Sequence, residues 1–211
     1  SGSAALVAAG EVDLAIGGDQ GGSIRIPASY CGIYGMKPTH GLVPYTGIMP
    51  VEVTIDHTGP MTNNVEDNAL MLEVIAGVDG YDPRQTNVKT QRYTEALQGT
   101  EGLKGLKIAV VKEGYLQENT EKDVNEKVQA AAAALKSLGA TVDEVSIPLH
   151  LVGPALGTPI GVEGSTQTMM WGDGYGVSRP DLYVTCLMDF HRNWRNRANE
   201  LSETVKLMTM F

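Results

Sequence analysis

The sequence is short of cysteine, has no long apolar run and carries no basic stripe, and each shortage excludes something. Its two cysteines, Cys31 and Cys186, stand far apart in 211 residues. That gives no disulfide framework and fits a reducing compartment, so the expected location is cytoplasmic. No stretch of about 18 apolar residues occurs, and no membrane-spanning helix is expected. No signal-peptide pattern is present at the start. The net charge is −9 with no clustered Lys or Arg, which removes nucleic acid as a partner. His40, His57, His150 and His191 are scattered, without metal-ligand spacing among themselves or to the cysteines. They are expected as isolated loop or surface residues, with no metal site. There is no initiator Met, and the last residues, Met208 to Phe211, fall inside a helical pattern. A piece of a larger protein is the expectation.

What is present suffices for a sizeable core: 42% of residues are hydrophobic and 19% charged, without long like-charge blocks. Residues 3 to 9 suit a buried helix ended by Gly10. Residues 12 to 16 suit a buried strand. A glycine-dense turn follows, and then Pro27 in the first turn of a short helix over Ala28, Ser29 and Tyr30. Residues 33 to 36 read as a second strand. Residues 38 to 62, punctuated by Gly41, Pro44, Gly47, Pro50, Gly59 and Pro60, read as loop. Asn64 with Asp67 predicts a capped helix over 65 to 76, with Gly77 as its stop. After a polar connection, residues 107 to 111 read as a strand. Thr120 with Asp123 signals a helix start, the stripe Val124, Val128, Ala131, Leu135 and Leu138 runs to Gly139, and residues 141 to 147 form the next strand. This strand–helix–strand order predicts a βαβ unit in an α/β fold. Residues 149 to 180 are Gly- and Pro-rich and carry Trp171. From Asp189 on, Phe190, Trp194, Ala198, Leu201, Val205 and Met208 repeat at helical spacing.

The informative stretch is Gly17-Gly18-Asp19-Gln20-Gly21-Gly22-Ser23-Ile24-Arg25-Ile26-Pro27, with a strand entering and a helix leaving. Glycines allow positive φ and close approach, and successive N–H groups can converge on an anion. A serine at the end of such a turn stands where acyl transfer needs a hydroxyl beside oxyanion donors. The spacing is not Gly-x-Gly-x-x-Gly, no Gly-Lys-Ser/Thr follows, and Arg25 replaces the last glycine of a Gly-x-Ser-x-Gly elbow. Dinucleotide loop, P-loop and nucleophile elbow therefore drop out. Spacing alone leaves two readings open: an acyl-transfer turn, or a structural glycine turn with a capping serine. Asp19 and Arg25 are expected to fix the loop rather than bind substrate.

Residues 18 to 28, continued by Cys31-Gly32-Ile33-Tyr34-Gly35-Met36-Lys37-Pro38-Thr39, Asp56, Gly59-Pro60-Met61, Val65 with Asp67, and Asp82-Pro83, resemble the amidase signature family. The resemblance is strongest over 1 to 84. It implies a three-layer α/β/α sandwich on a mixed, largely parallel sheet. It also implies a Ser–cis-Ser–Lys triad with Ser23 as nucleophile, and Gln20, Gly21 and Gly22, with the Ser23 N–H, as the oxyanion hole. Ile55 would lie in a loop lining the acyl pocket, while Trp171, beside Gly172 and Gly174, is expected to pack in the core rather than face that pocket. No cofactor is implied. Residues 1–211 would be the central part of one domain: 1–84 the signature core, 104–148 the strand–helix–strand unit, 149–211 a helical segment on the pocket side. The implied reaction is hydrolysis of a small-molecule carboxamide, and the parent could be a homodimer. Asp19-Gln20-Gly21-Gly22 is more like broad-specificity amidases than the catalytic chain of glutamyl-tRNA amidotransferase, where threonine usually replaces Gln20. Arg192, Arg195, Arg197 and Thr204-Val205-Lys206 point the same way. The catalytic chain of an amidotransferase complex and a truncated, non-catalytic family domain remain as alternatives.

One departure weighs against activity of this chain alone. Ser1-Gly2-Ser3 matches only the last positions of the family's Gly-Gly-Ser-Ser-(Gly/Ser)-Gly-Ser run, so the bridging serine and the lysine would fall before residue 1. Lys37, the nearest lysine, is a structural position in the family pattern.

Overall fold

The computed structural model describes residues 1–98, 102–115, 119–171 and 180–195. Two compact units emerge: Ser1–Leu97 with Gly157–Phe211, and Gln98–Leu156.

In the first unit, helix α1 (Gly2–Ala8) leads to strand β1 (Leu14–Asp19), helix α2 (Arg25–Cys31), the short strand β2 (Tyr34–Gly35), strand β3 (His57–Thr62) and helix α3 (Val65–Ile75). The sheet order is β1-β3-β2, with both pairs antiparallel. The register sets Gly17 opposite Gly59 and Asp19 opposite His57. One face of this sheet is sealed by Ala4, Ile24 and Met61, with Ala15, Cys31 and Ile33 against them. Glycine is required here. A Cβ on Gly17 would come within 2.8 Å of Ile24, and one on Gly35 within 2.7 Å of Ala28. Successive strand residues face opposite ways, so Thr62 points to the other face. There Asn68 of α3 donates to Thr62 Oγ1 at 3.1 Å. Helix, sheet and helix thus stack in layers. Asn64 caps α3 as expected, its Oδ1 accepting from the Asp67 N–H at 2.7 Å.

Strand β3 lies where the sequence read as loop. Gly59 and Pro60 suggest a turn, yet both fit a strand here. The Met36 carbonyl packs where a Gly59 side chain would be. A residue in an antiparallel pair exchanges both its bonds with one neighbour. The Pro60 carbonyl accepts from Met36 N–H, so its missing N–H would have faced β2 just where that two-residue ladder ends.

In the second unit, β4 (Lys107–Val111), α4 (Lys122–Ser137) and β5 (Thr141–Val145) form the expected βαβ unit, with β4 and β5 parallel from Lys107↔Thr141 to Val111↔Val145. The helix start differs from expectation. Its N-cap is Glu121, without a side-chain cap bond, and Asp123 Oδ1 accepts from the Val124 N–H instead. The α4 stripe is only half covered, with Val124 and Val128 about half exposed.

The Gly- and Pro-rich stretch is largely helical. Helix α5 (Gly153–Thr166) contains Pro159 and runs into a π-helical turn at Gln167–Trp171. Within the first unit, Gly164 lets α5 approach the Val51 carbonyl and the Glu52 side chain. Helix α6 (Thr185–Arg195) closes the described residues. The chain is an α/β protein whose strands pair in both senses. No helix among the described residues is long and apolar enough to cross a membrane.

Candidate active site

The glycine turn lies between β1 and α2. Gly22 has φ +133°, a value L side chains rarely adopt, and a Cβ there would meet Ile26 at 2.6 Å. Asp19 organises the turn. Its side chain is fully buried, and its carboxylate accepts from Gly22 N–H at 2.7 Å, Ile24 N–H at 3.3 Å, and Arg25 through both Nε and a terminal nitrogen at 3.0 Å. Burial alone would push the Asp19 carboxyl up, but the Arg25 guanidinium and the two N–H donors outweigh it and hold it below its usual value. The pair therefore fixes the loop.

With Gly22 N–H committed to Asp19, the N–H groups of Gln20, Gly21 and Ser23 have no acceptor among the described residues. Ser23 is exposed, and among the described residues its hydroxyl has no hydrogen-bond partner. Lys37 does not approach it by a bond: its Nζ donates to the Pro38 carbonyl at 3.0 Å.

A polar network joins the turn to the segment carrying Ile55. Gln20 Nε2 donates to Tyr45 Oη at 2.9 Å, and the same carboxamide reaches the Asp56 carboxylate. Asp56 is buried and accepts from Val51 N–H and Glu52 N–H. Burial pushes its carboxyl up, and these bonds with Gln20 and the Arg84 charge only partly oppose that. Arg84 donates to the Asp56 carbonyl at 2.8 Å, pairs with the Asp82 carboxylate at 2.6 Å and stands over the Tyr45 ring. Asp82 also accepts the Tyr45 N–H, and Arg84 holds its carboxyl well below the usual range. Ile55, half-buried, reaches 3.8 Å from where a Gly161 side chain would begin. The β1–β3 register carries the Gln20 turn and the Ile55 segment to the same end of the sheet.

Two histidine expectations change. His191 is buried, its Nδ1 2.7 Å from Thr166 Oγ1, and burial lowers its pKa. His40 and His57 are paired rather than isolated, ring centroids 5.3 Å apart. No cluster able to hold a metal is found among the described residues. The side chains of Trp171, Trp194 and Arg195, together with Arg197 and Thr204-Val205-Lys206, lie outside the described residues. Asp56 and Asp82 were visible in the sequence as matched positions without roles. Tyr45 carried no signal, because Gln20, Asp82 and Arg84 reach it only across the fold.

A layered α/β protein with an exposed serine next to N–H groups that have no acceptor among the described residues, on a pinned turn, can support nucleophilic acyl transfer. The amidase family model matches residues 1–210, and the chain belongs to that family. It is 46% identical to an enantioselective amidase from Rhodococcus rhodochrous, over 100% of this chain and 40% of the relative. It is 43% identical to a glutamyl-tRNA(Gln) amidotransferase chain of Lysinibacillus sphaericus (strain C3-41), over 99% of this chain and 42% of that one. A bacterial aryl acylamidase of the amidase signature family superposes with a TM-score of 0.77 at 26% identity, covering 99% of this chain and 44% of that chain. The chain thus spans well under half the length of the relatives it matches.

Proposed function

We propose that the complete protein hydrolyses carboxamides through an acyl-enzyme on Ser23. The observation that carries this reading is the exposed Ser23 hydroxyl beside the N–H groups of Gln20, Gly21 and Ser23, which have no acceptor among the described residues, on a turn fixed by Asp19. In the proposed cycle, Ser23 Oγ attacks the carbonyl carbon and gives up its proton to the relay. The oxyanion settles among the Gln20, Gly21 and Ser23 N–H groups, with Gly22 supplying the backbone geometry rather than a free donor. The C–N bond then breaks, and ammonia or an amine leaves with the proton. Water repeats the attack on the Ser23 ester and releases the acid. The family resemblance implies that a bridging serine and a lysine complete the relay. Ile55 lines the acyl side of the pocket, and the substrate is a small-molecule amide.

The test measures ammonia release from primary carboxamides by the complete protein. Ser23→Ala is expected to lower kcat by a factor of at least about 1,000, and intact-mass spectra should show an acyl adduct on Ser23 in the unmodified protein. A Ser23→Ala protein that keeps its rate would defeat the proposal. A second reading is favoured by the 43% identity to an amidotransferase chain: the protein would act within a complex, and amide hydrolysis would then need partner chains. The Gln20 carboxamide, bonded to Tyr45 where amidotransferases usually have threonine, argues for the stand-alone amidase.

A further inference from the structure

Gln20 is held by its side chain where its main chain is not. Asp19 pins the far side of the glycine turn through Gly22, Ile24 and Arg25. On the near side, the β1–β3 register ends at Asp19 and His57. Between these restraints, neither the N–H nor the carbonyl of Gln20 has a hydrogen-bond partner among the described residues. Packing does not hold the next peptide either, since a Cβ on Gly21 would meet nothing within 4 Å. The Gln20 side chain supplies the missing restraint. A Cβ on Gly18 would stand 3.6 Å from both Gln20 Nε2 and Tyr45 Oη, so the bond between them passes over that glycine. Gln20 Nε2 donates to Tyr45 Oη at 2.9 Å, and the same carboxamide reaches the Asp56 carboxylate. A carboxylate only accepts, so the amide nitrogen faces it, and the two hydrogens of that nitrogen serve two acceptors.

Both acceptors are themselves fixed. Tyr45 is buried, its N–H bonded to Asp82 at 2.9 Å and its ring 5.0 Å from the Arg84 guanidinium. Asp56 is buried and accepts the Val51 and Glu52 N–H groups. Arg84 ties the two together: it pairs with Asp82 at 2.6 Å and donates to the Asp56 carbonyl at 2.8 Å. The Gln20 carboxamide carries the order of this frame to the turn.

We propose that Tyr45 is a positioning residue for acyl transfer: its hydroxyl, with the Asp56 carboxylate, fixes the Gln20 carboxamide and so aims the Gln20 N–H at the oxyanion. This rests on the reading of Ser23 as nucleophile and of the Gln20 N–H as an oxyanion donor. Such a donor works by standing in place before charge develops. The Gln20 peptide has no main-chain bond to keep it in place, so the side-chain bond sets its direction. Tyr45 acts through Gln20 and needs no contact with the substrate.

The test uses the complete protein and a primary carboxamide. Tyr45→Phe removes the acceptor and keeps both the ring beside Arg84 and the N–H for Asp82. The oxyanion forms in acylation and in deacylation alike, so both steps slow together. The expected result is a kcat lower by roughly tenfold with KM little changed, short of the loss of about 100- to 1,000-fold that follows deletion of a donor. Gln20→Met keeps the length of the side chain without its carboxamide and should lose a similar factor. Because Tyr45 acts through Gln20, the double variant should lose no more than either single one. A merely structural role would instead make the two losses multiply. Multiplied losses, a loss confined to KM, or an unchanged kcat in Tyr45→Phe overturns the proposal. Where Tyr45→Phe does not fold, Gln20→Met decides alone, and an unchanged kcat there overturns it. Ser23→Ala separates the two readings. If it removes the activity while Tyr45→Phe changes nothing, the Tyr45 role falls and the acyl-enzyme reading stands. If Ser23→Ala keeps its rate, the acyl-enzyme reading falls and the Tyr45 role falls with it.

Discussion

Asp19 holds Gly22, Ile24 and Arg25 with one buried carboxylate, so the turn depends on charge as well as shape. Asp19→Asn keeps the volume but offers a single acceptor oxygen and leaves an N–H donor facing backbone donors. The expected cost is about 2–3 kcal/mol of stability, read as a lower urea midpoint. The pH dependence follows from the sign of the shift. The folded pKa lies below the usual 3.8, so the stabilisation is complete above that value and is lost as the pH falls through the folded pKa. The gap between the two proteins should stay constant across about pH 5 to 8 and narrow only in stronger acid. An early narrowing would show that the carboxylate is not ionised in the folded turn. The Asp19–Arg25 role was legible because both residues flank one short turn. The His40–His57 ring pair was not, because its members lie 17 positions apart and meet only through the β3 pairing.

At the scale of elements, the capped helix and the βαβ strands were legible because their signals are local. Asn64 both carries and fulfils a cap signal, so Asn64→Ala should cost about 1 kcal/mol, seen as a small fall in thermal midpoint without loss of the sheet. No change would mean that the Asn68 bonds to the sheet carry α3 by themselves. Strand β3 was illegible for the opposite reason. Its glycine and proline answer to neighbours, the Met36 carbonyl and the end of the β2 ladder, which one strand's sequence does not contain. Helix α5 is the same case, since Gly164 is there to admit the Val51 carbonyl and the Glu52 side chain. Residues that usually punctuate a chain served packing in both.

Across the whole chain, protection should be uneven. Every residue from Thr58 to Thr62 is buried in the central strand, whereas α4 buries none of its residues and leaves Val124 and Val128 half exposed. Local opening free energy follows buried apolar packing, so slowly exchanging amides should concentrate in β1 and β3. In the 211-residue chain, β3 amides are expected to be protected roughly tenfold or more beyond those of α4, a gap of about 1.4 kcal/mol. In the complete protein, where more polypeptide is available to cover the α4 stripe, the gap should shrink. Equal protection of β3 and α4 in the 211-residue chain would mean that the sheet around the Ser23 turn does not hold by itself. The turn would then owe its geometry to the rest of the protein.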